Sequence, residues 1–290
     1  MRNWLKSILR RPKNRIQRVI IFGTHTPDWM EALLPQAAVW RELRASRTLQ
    51  VEHIAEERLA EIANCRSDTV IVPLMEAHIA ACLHSPLKAA ALLPSAEALE
   101  ILRDKARFAA YTESHSLARF CPRIFLSPGS AEFPCVLKRT DLNGGAGIDI
   151  ATSPAHLEEL LKQELWKERP VLLQQLISGQ DEHVAHCVCK NGKILWHCVY
   201  QYILDPANPI RRGINLTRRA AVSRKQLKQI QRFLRPLKYT GPCNVDFKIS
   251  DTRDIVVFEI NPRLGGSLMR PENNIDLWTT IEHILNAAEA

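Results

Sequence analysis

Between Asp254 and Ser267 the chain reads DIVVFEINPRLGGS. Ile255-Val256-Val257-Phe258 is an apolar run of the length and type that makes a buried strand. Glu259 and Asn261 follow at i and i+2. Alternate residues of a strand project to one face, so a carboxylate and a carboxamide oxygen point together. Hard oxygen donors at this spacing suit Mg²⁺, which is usually held by one or two carboxylates plus substrate phosphates. Pro262 then ends the ladder, Arg263 adds a permanent cation, and Gly265-Gly266-Ser267 allows close backbone approach to a ligand. Upstream, Cys243–Ile249 reads as another strand, separated by the polar turn Ser250–Arg253. Antiparallel pairing of the two brings Asp246 near Glu259 and completes a set of three oxygen donors: Asp246, Glu259 and Asn261.

A second set of residues fits phosphate. Pro134–Leu137 is an extended apolar run that delivers Lys138 to a strand end. Gly144, Gly145 and Gly147 follow after a polar loop. Glycines in series let backbone N–H groups converge on phosphate oxygens, and a lysine supplies a point charge. The order differs from GxxxxGK[ST], which disfavours a P-loop. Arg211, Arg212, Arg218 and Arg219 form an arginine-rich loop suited to phosphate or carboxylate.

Charge narrows the partner classes. The net charge is +8, yet residues 1–18 hold seven cations and no acid, leaving 32 basic against 31 acidic side chains in the body. A nearly neutral body argues against a nucleic-acid-binding protein. The arm spaces Trp4, Leu5, Ile8 and Leu9 helically between cations, which permits weak contact with an acidic membrane or a partner; a solvated terminus is the simpler account. It lacks the apolar core of a signal peptide, and no apolar run is long enough to span a bilayer. Eight cysteines without a CxxC pair read as buried reduced thiols of a cytoplasmic protein.

Along the chain, Arg18–Gly23, Leu49–Ile54 and Thr69–Leu74 read as strands. A helix capped by Asp28 and running to about Arg44, and another over Glu56–Asn64, alternate with them, so a small parallel-sheet lobe is expected. No GxGxxG is present, and no cofactor is assigned to this lobe. Ser95 caps a helix expected to run past Lys105 to Phe108, Ser153-Pro154 opens another, and Val171–Ile177 is a strand ending at Ser178-Gly179. Val184–Lys190 and Lys193–Tyr200 flank the hairpin turn Asn191-Gly192. Regular pairing makes His186 and His197 cross-strand neighbours, with Cys187, Cys189, Ile194, Trp196 and Cys198 on the opposite face, so these cysteines and histidines cannot share one zinc ion. Ser223–Leu234 and Ile275–Ala288 are helices, the first with Leu227, Ile230, Phe233 and Leu234 inward.

A strand lysine, then a glycine loop, then D…E-x-N-x-R resembles the ATP-grasp family, whose members phosphorylate a carboxylate with ATP. The resemblance covers about Leu99–Ile284. It implies a small parallel-sheet lobe followed by a two-lobed α+β grasp fold, with an arm at 1–18, an N-terminal domain at 19–95 and the grasp domain at 96–290. It implies that Lys105, after Asp104, and Lys138 hold the ATP phosphates. Gln174, Gln175, Leu176 and Ile177 occupy the hinge whose backbone reads adenine, although the family's usual hinge glutamate is missing here. Asp181 or Glu182 holds the ribose, Asp181 being preferred for its distance from Gly179. Asp246, Glu259 and Asn261 bind Mg²⁺ or Mn²⁺, and Arg263 with Lys138 stabilises charge at the reacting centre. The activity implied is ligation of a small-molecule carboxylate to an amine through an acylphosphate, with a homodimer as fold-level analogy. A non-catalytic ATP-binding scaffold, a kinase and a thiol ligase are the competing expectations.

Overall fold

The computed structural model describes residues 16–62, 67–142, 147–177, 179, 181–204, 210–211 and 217–290. Strands β1 (Arg18–Phe22), β2 (Gln50–Ile54) and β3 (Thr69–Pro73) form a parallel sheet in the order β2-β1-β3. Val19 through Phe22 are buried to the last residue, as expected of a central strand covered on both faces. The helix expected from Asp28 to Arg44 is two: α1 (Pro27–Leu33) and α2 (Ala38–Ser46). Thr26 holds the N-cap position, and Leu34 turns extended ahead of Pro35, which disfavours helix in the residue before it. The expected helix at Glu56 is a 3₁₀ segment, Glu56–Ile62, interrupted at Arg58. Helix α3 (Glu76–Leu83) follows β3.

The helix begun at Ser95 also divides, into α4 (Ala96–Arg103) and α5 (Lys105–Ser114). Asp104 leaves helical geometry, and its carboxylate accepts from the backbone N–H groups of Ala106 and Arg107. An acid that caps a new turn thus overrides the helical periodicity, and Lys105 becomes the first residue of α5.

Strands β4 (Ile124–Phe125), β5 (Cys135–Arg139), β6 (Ile148–Ala151) and β7 (Val171–Gln175) form an antiparallel sheet in the order β4-β7-β5-β6, with α6 (Pro154–Lys162) against it. A second antiparallel sheet holds β8 (Asp181–Lys190), β9 (Lys193–Ile203), β10 (Thr217–Ala220), β11 (Gly241–Ile249) and β12 (Ile255–Asn261), in the order β10-β9-β8-β11-β12. Helix α7 (Arg224–Leu234) packs on β9 and β12, and α8 (Asn274–Glu289) on β8 and β9. No described helix is long and apolar enough to cross a membrane.

Two registers depart from regular counting. Asn191 and Gly192 both take positive φ, as the turn demands, but Leu195 is an extra residue, so Val188 faces Trp196 and His186 faces Cys198. His186 and His197 are therefore not partners. Cys187 and Cys189 pack with Ile194 in the core under α7, whereas Trp196 and Cys198 join the opposite face. Arg218 and Arg219, expected in a loop, lie on β10 and pair with Gln201 and Tyr200 of β9. In the second departure, Asp246 faces Glu259 but Phe247 faces Val257, leaving Phe258 as the extra residue of β12.

These faces decide where chemistry and core lie. On β11, Cys243, Val245 and Phe247 point into the core that also holds Ile230, Phe233 and Leu234 of α7. Asn244, Asp246 and Lys248 alternate with them, so their side chains lie on the other face. The N-terminal lobe shares a core with α8 and the outer face of β8–β9, through Trp29, Trp40, Val188, Tyr200 and Leu264 among others.

Candidate active site

Two adjoining cavities, of about 360 and 110 Å³, open between the two antiparallel sheets. Lys105, Pro122, Lys138, Gln174, Phe258 and Glu259 line both. Arg263, Asn261 and Glu76 line the larger; Gln175, Leu176, Ile177, Glu182, Arg211, Asp246 and Lys248 line the smaller. Residues far apart in sequence thus face one space: one sheet supplies a lysine and the hinge strand, the other supplies the acids.

Glu259 lies directly across the ladder from Asp246, and its Oε2 is 3.5 Å from Lys138 Nζ. Burial works against the Glu259 charge, but Lys138, Arg211, Asn261 and Lys105 outweigh it and hold the carboxyl down at about 2. Burial pushes the Asp246 carboxyl up, Arg211 pulls it back, and Glu259 opposite adds to the rise. Arg211 grips Asp246 with both terminal nitrogens, at 3.1 and 3.0 Å, while its Nε lies 3.3 Å from Glu182 and its guanidinium 4.3 Å over the Tyr202 ring. Burial pushes Glu182 up to about 7 against the pull of Arg211.

Asn261 donates its amide to Asn244 Oδ1 at 3.1 Å and to Glu259 Oε1 at 3.4 Å. Its NH₂ group, and not its Oδ1, faces Glu259 here, so presenting the oxygen to an ion takes a turn of the amide. Among the described residues no three His, Cys, Asp or Glu side chains gather as a metal cluster. The donor set is instead two carboxylates and one amide oxygen, all hard, on adjacent strands. That set fits a small divalent ion whose remaining ligands come from phosphates or water. Arg211 takes one acceptor position on each Asp246 oxygen, so an ion there would either share the carboxylate with Arg211 or displace it.

The lysines are held ready. Lys105 Nζ donates to the carbonyls of Thr140 and Leu142, at 3.3 and 2.9 Å, and burial followed by Lys138 lowers its pKa. Lys248, buried on the same face of β11 as Asn244 and Asp246, donates to the carbonyls of Ile177 (3.1 Å) and Gly179 (2.6 Å) and so ties the segment after β7 to the acidic sheet. Gly147 has φ +64, and a Cβ there would lie 2.9 Å from Arg139 Cβ and Leu142 Cδ1. It packs at the foot of the loop rather than lining the cavities. Gly144, Gly145, Arg212 and the arm through residue 15 lie outside the described residues.

Of the two acids named for the ribose, the structure sets Glu182 on the cavity wall and Asp181 off it. The two alternate on β8: Glu182 lines the cavity, while Asp181 is exposed and bonds Gln201 from across the pair with β9. Arg263 is likewise not alone. Its Nε donates to Glu76 Oε1 at 2.9 Å, which ties the post-strand loop to the N-terminal lobe.

Sequence reasoning gave no site role to Asn244, Lys248, Glu76 or Phe258, and weighed His186 only as a zinc ligand. Asn244 and Lys248 stand two residues either side of Asp246, so strand alternation already put them on its face. Asn244 also donates to the carbonyls of Arg263 and Leu264, at 3.2 and 3.4 Å, and holds the loop after β12. Phe258 owes its place to the bulge, and His186 to a register shift; neither is local information. His186 is buried against Gly265, its Nε2 2.7 Å from Ser267 Oγ and its Nδ1 without a hydrogen-bond partner among the described residues.

Burial, reinforced by Arg211, Arg219 and Arg263, lowers His186 to about 3. The unfolded chain binds this proton below about pH 6.5 and the folded chain does not until about 3. Stability is therefore fully present above 6.5 and lost as pH falls through that window. Between pH 7.5 and pH 5 this group should cost about 2 kcal/mol. Urea unfolding at both pH values is expected to show the loss, and His186→Gln to remove most of it. An unchanged pH dependence in the variant would refute the assignment.

Comparison with known proteins agrees with this geometry. The ATP-grasp domain family model matches residues 108–267, more than half of the chain. The arginine-specific carbamoyl phosphate synthase large chain of Bacillus subtilis (strain 168) is 26% identical over 138 residues, which are 45% of this chain but only 13% of that protein. The N5-carboxyaminoimidazole synthetase of Staphylococcus aureus, solved with ADP, superposes with TM-score 0.68 at 16% identity, over 95% of this chain and 79% of that one. D-alanine–D-alanine ligase of Bacillus anthracis gives 0.65 at 13% identity, over 94% and 97%. At such identities the structural likeness speaks for the fold, and the family match speaks for descent: the chain belongs to the ATP-grasp family.

Proposed function

We propose that the protein is a Mg-ATP-dependent ligase that activates a carboxylate as an acylphosphate and couples it to an amine. The observation that carries the reading is the meeting of Lys138, from one sheet, with the Asp246–Glu259 pair of the other in a single cleft. Catalysis by such a site needs positioning and charge stabilisation, and no protein nucleophile.

In this reading Lys105 and Lys138 hold the phosphates, the Gln174–Ile177 segment lies along the base, and Glu182 faces the ribose. Asp246, Glu259 and Asn261 would hold the Mg²⁺. The bound ion would neutralise phosphate charge and lower the repulsion met by an anionic nucleophile. A substrate carboxylate oxygen attacks the γ-phosphorus, the bond to the β-phosphate oxygen breaks, and ADP leaves. The amine then attacks the carbonyl carbon of the acylphosphate, inorganic phosphate departs, and the amine loses a proton. Arg263, fixed by Glu76 and by the carbonyl of Leu264, stands in the larger cavity to stabilise charge on the phosphoryl or tetrahedral centre. Among the described residues Cys121, Cys135, Cys187, Cys189, Cys198 and Cys243 are free thiols, which suits the reducing cytoplasm proposed for it.

The grip of Arg211 on both Asp246 oxygens favours one other reading, an ATP-binding protein without turnover. The two are separated by measuring ADP release with Mg-ATP, pooled carboxylates and hydroxylamine as surrogate amine. Carboxylate-dependent ADP release with a trapped hydroxamate is the expected result. Saturable ATP binding with no acid-dependent release from any pool would favour the binding protein.

A further inference from the structure

The even charge of the body conceals a one-sided face. Between Ser223 and Lys238 the chain carries six cations and no acid. Arg224, Lys225, Lys228 and Arg232 of α7 are exposed. Together with Arg119 and Phe120 they wall an open groove of about 690 Å³, floored by Gln229 and Asp254. Asp254 is the one acid in the lining; Lys225 reaches it at 2.6 Å and Gln229 at 2.6 Å. Arg119, Arg224, Lys228 and Arg232 have no ion pair with a described carboxylate. The Arg119 and Arg232 guanidiniums lie 4.8 and 5.7 Å from the centroid of the same Phe120 ring, which holds two like charges together on the groove wall.

This arrangement works against the helix that carries it. Cations in a first turn oppose the helix dipole, and α7 has Arg224 and Lys225 there with no acid. Arg224, Lys228 and Arg232 repeat at i, i+4 and i+8, so each neighbouring pair repels by about 0.2–0.5 kcal/mol. The capping box at Ser223 and Gln226 and the buried Ile230, Phe233 and Leu234 keep the helix formed nonetheless. A ladder of charge that lowers local stability is accounted for by an anionic partner.

We infer that the groove docks an acidic protein segment, with carboxylates repeating along one helical face. The ladder rises about 6 Å per step, the spacing of side chains four apart on a partner helix. Single-stranded nucleic acid binds on exposed aromatic platforms, whereas Phe120 is only 6% exposed. A membrane surface needs exposed apolar side chains beside the cations, and among the described residues the large exposed apolar side chains lie elsewhere, at Met75, Leu126, Leu165, Leu195, Ile203 and Ile275. Arg119 and Phe120 run straight into Cys121 and Pro122, which line the larger cavity of the cleft. A segment docked in the groove therefore sits beside the reaction cleft. The inference does not depend on the reaction performed there.

The test is fluorescence anisotropy with the whole chain. The probe is a labelled helical peptide with Glu at i, i+4 and i+8, and its Gln-substituted twin, a dT oligonucleotide of similar length and vesicles of phosphatidylglycerol and phosphatidylcholine are the comparisons. The Glu peptide is expected to bind saturably at about 20 mM salt and to weaken sharply by about 300 mM. The triple variant Arg224→Gln, Lys228→Gln, Arg232→Gln should weaken it at least about tenfold with far-UV circular dichroism unchanged. Arg119→Gln, outside α7 but over the same Phe120 ring as Arg232, should weaken it several-fold without altering the helix. Binding that ignores these substitutions, absence of saturable binding at low salt, or equal or tighter capture of the oligonucleotide or vesicles through the same cations would each overturn the inference.

Discussion

Replacing Glu259 by alanine is expected to lower carboxylate-dependent ADP release by about 10³-fold, the scale of removing a principal charge-stabilising group. Glu259 is the acid that stays ionised: Lys138 at 3.5 Å, Arg211 and Lys105 together overcome the penalty of its burial. The variant removes an oxygen donor, the anchor of Lys138 and one hydrogen bond to Asn261. It also relieves the repulsion that raises Asp246, so losses and gains in folding free energy partly cancel, and urea unfolding should move by only about 1 kcal/mol. Glu259→Gln separates the contributions, because the amide oxygen can still accept from Asn261 while the charge is gone. If the charge matters most, Gln and Ala should be equally inactive; if the hydrogen-bonded shape matters most, Gln should recover much of the rate. Full turnover in Glu259→Ala would remove the ligase assignment.

The next largest expected effect lies in a residue that touches no phosphate. Gly265 has φ −110 and ψ 147, a conformation open to any residue, so its identity is dictated by space. A Cβ there would lie 2.3 Å from His186 Cε1, 2.8 Å from its Nδ1 and 3.1 Å from Asn244 Cβ. Both neighbours stand on central strands and are buried, so the loop must lift rather than the strands yield. The loop carries Arg263, two residues before Gly265, and is held by Asn244 at Arg263 and Leu264 and by His186 at Ser267. Gly265→Val should cost about 10²-fold in turnover, as displacement of about 1 Å does in a positioned site. The stability cost should stay within about 1–3 kcal/mol. His186→Ala removes the ring that the new side chain meets, so the double variant should regain part of the rate. Steady-state kinetics of the four proteins form the cycle. Strict additivity of the two substitutions would mean that the ring does not hold the loop.

What could be read in advance was what alternates along a strand. The Asp246 and Glu259 strands, the hairpin at Asn191-Gly192 and the lysine-bearing strand before the glycine loop all announce themselves within ten residues. Breaks and slips were less legible. Asp104 splits a helix because a carboxylate caps the next turn, and Pro35 splits another through the residue before it. Leu195 shifts a register by one and exchanges the neighbours of His186. The roles of Arg211, Glu76 and Lys248 depend on contacts across 35, 187 and about 70 residues of chain, which no local pattern encodes. The acid that lines the cavity shows how small a difference decides such a placement. Asp181 and Glu182 are adjacent, and a strand sends adjacent side chains to opposite faces.

The extra residue in β12 has a bearing on how such a site can diversify. Because the ladder slips between Asp246 and Phe247, Phe258 and Glu259 both face the cleft, while Val257 and Ile260 stay in the core. The bulge acts as a joint between two registers. Residues 259–261 keep their alignment with 244–246 whatever happens before the joint. A mutation at Phe258 can reshape the wall shared by both cavities, and even its deletion would restore a regular ladder without moving Glu259 from Asp246. A chain built this way can vary the cleft wall at one position while the Asp246–Glu259 pairing is kept.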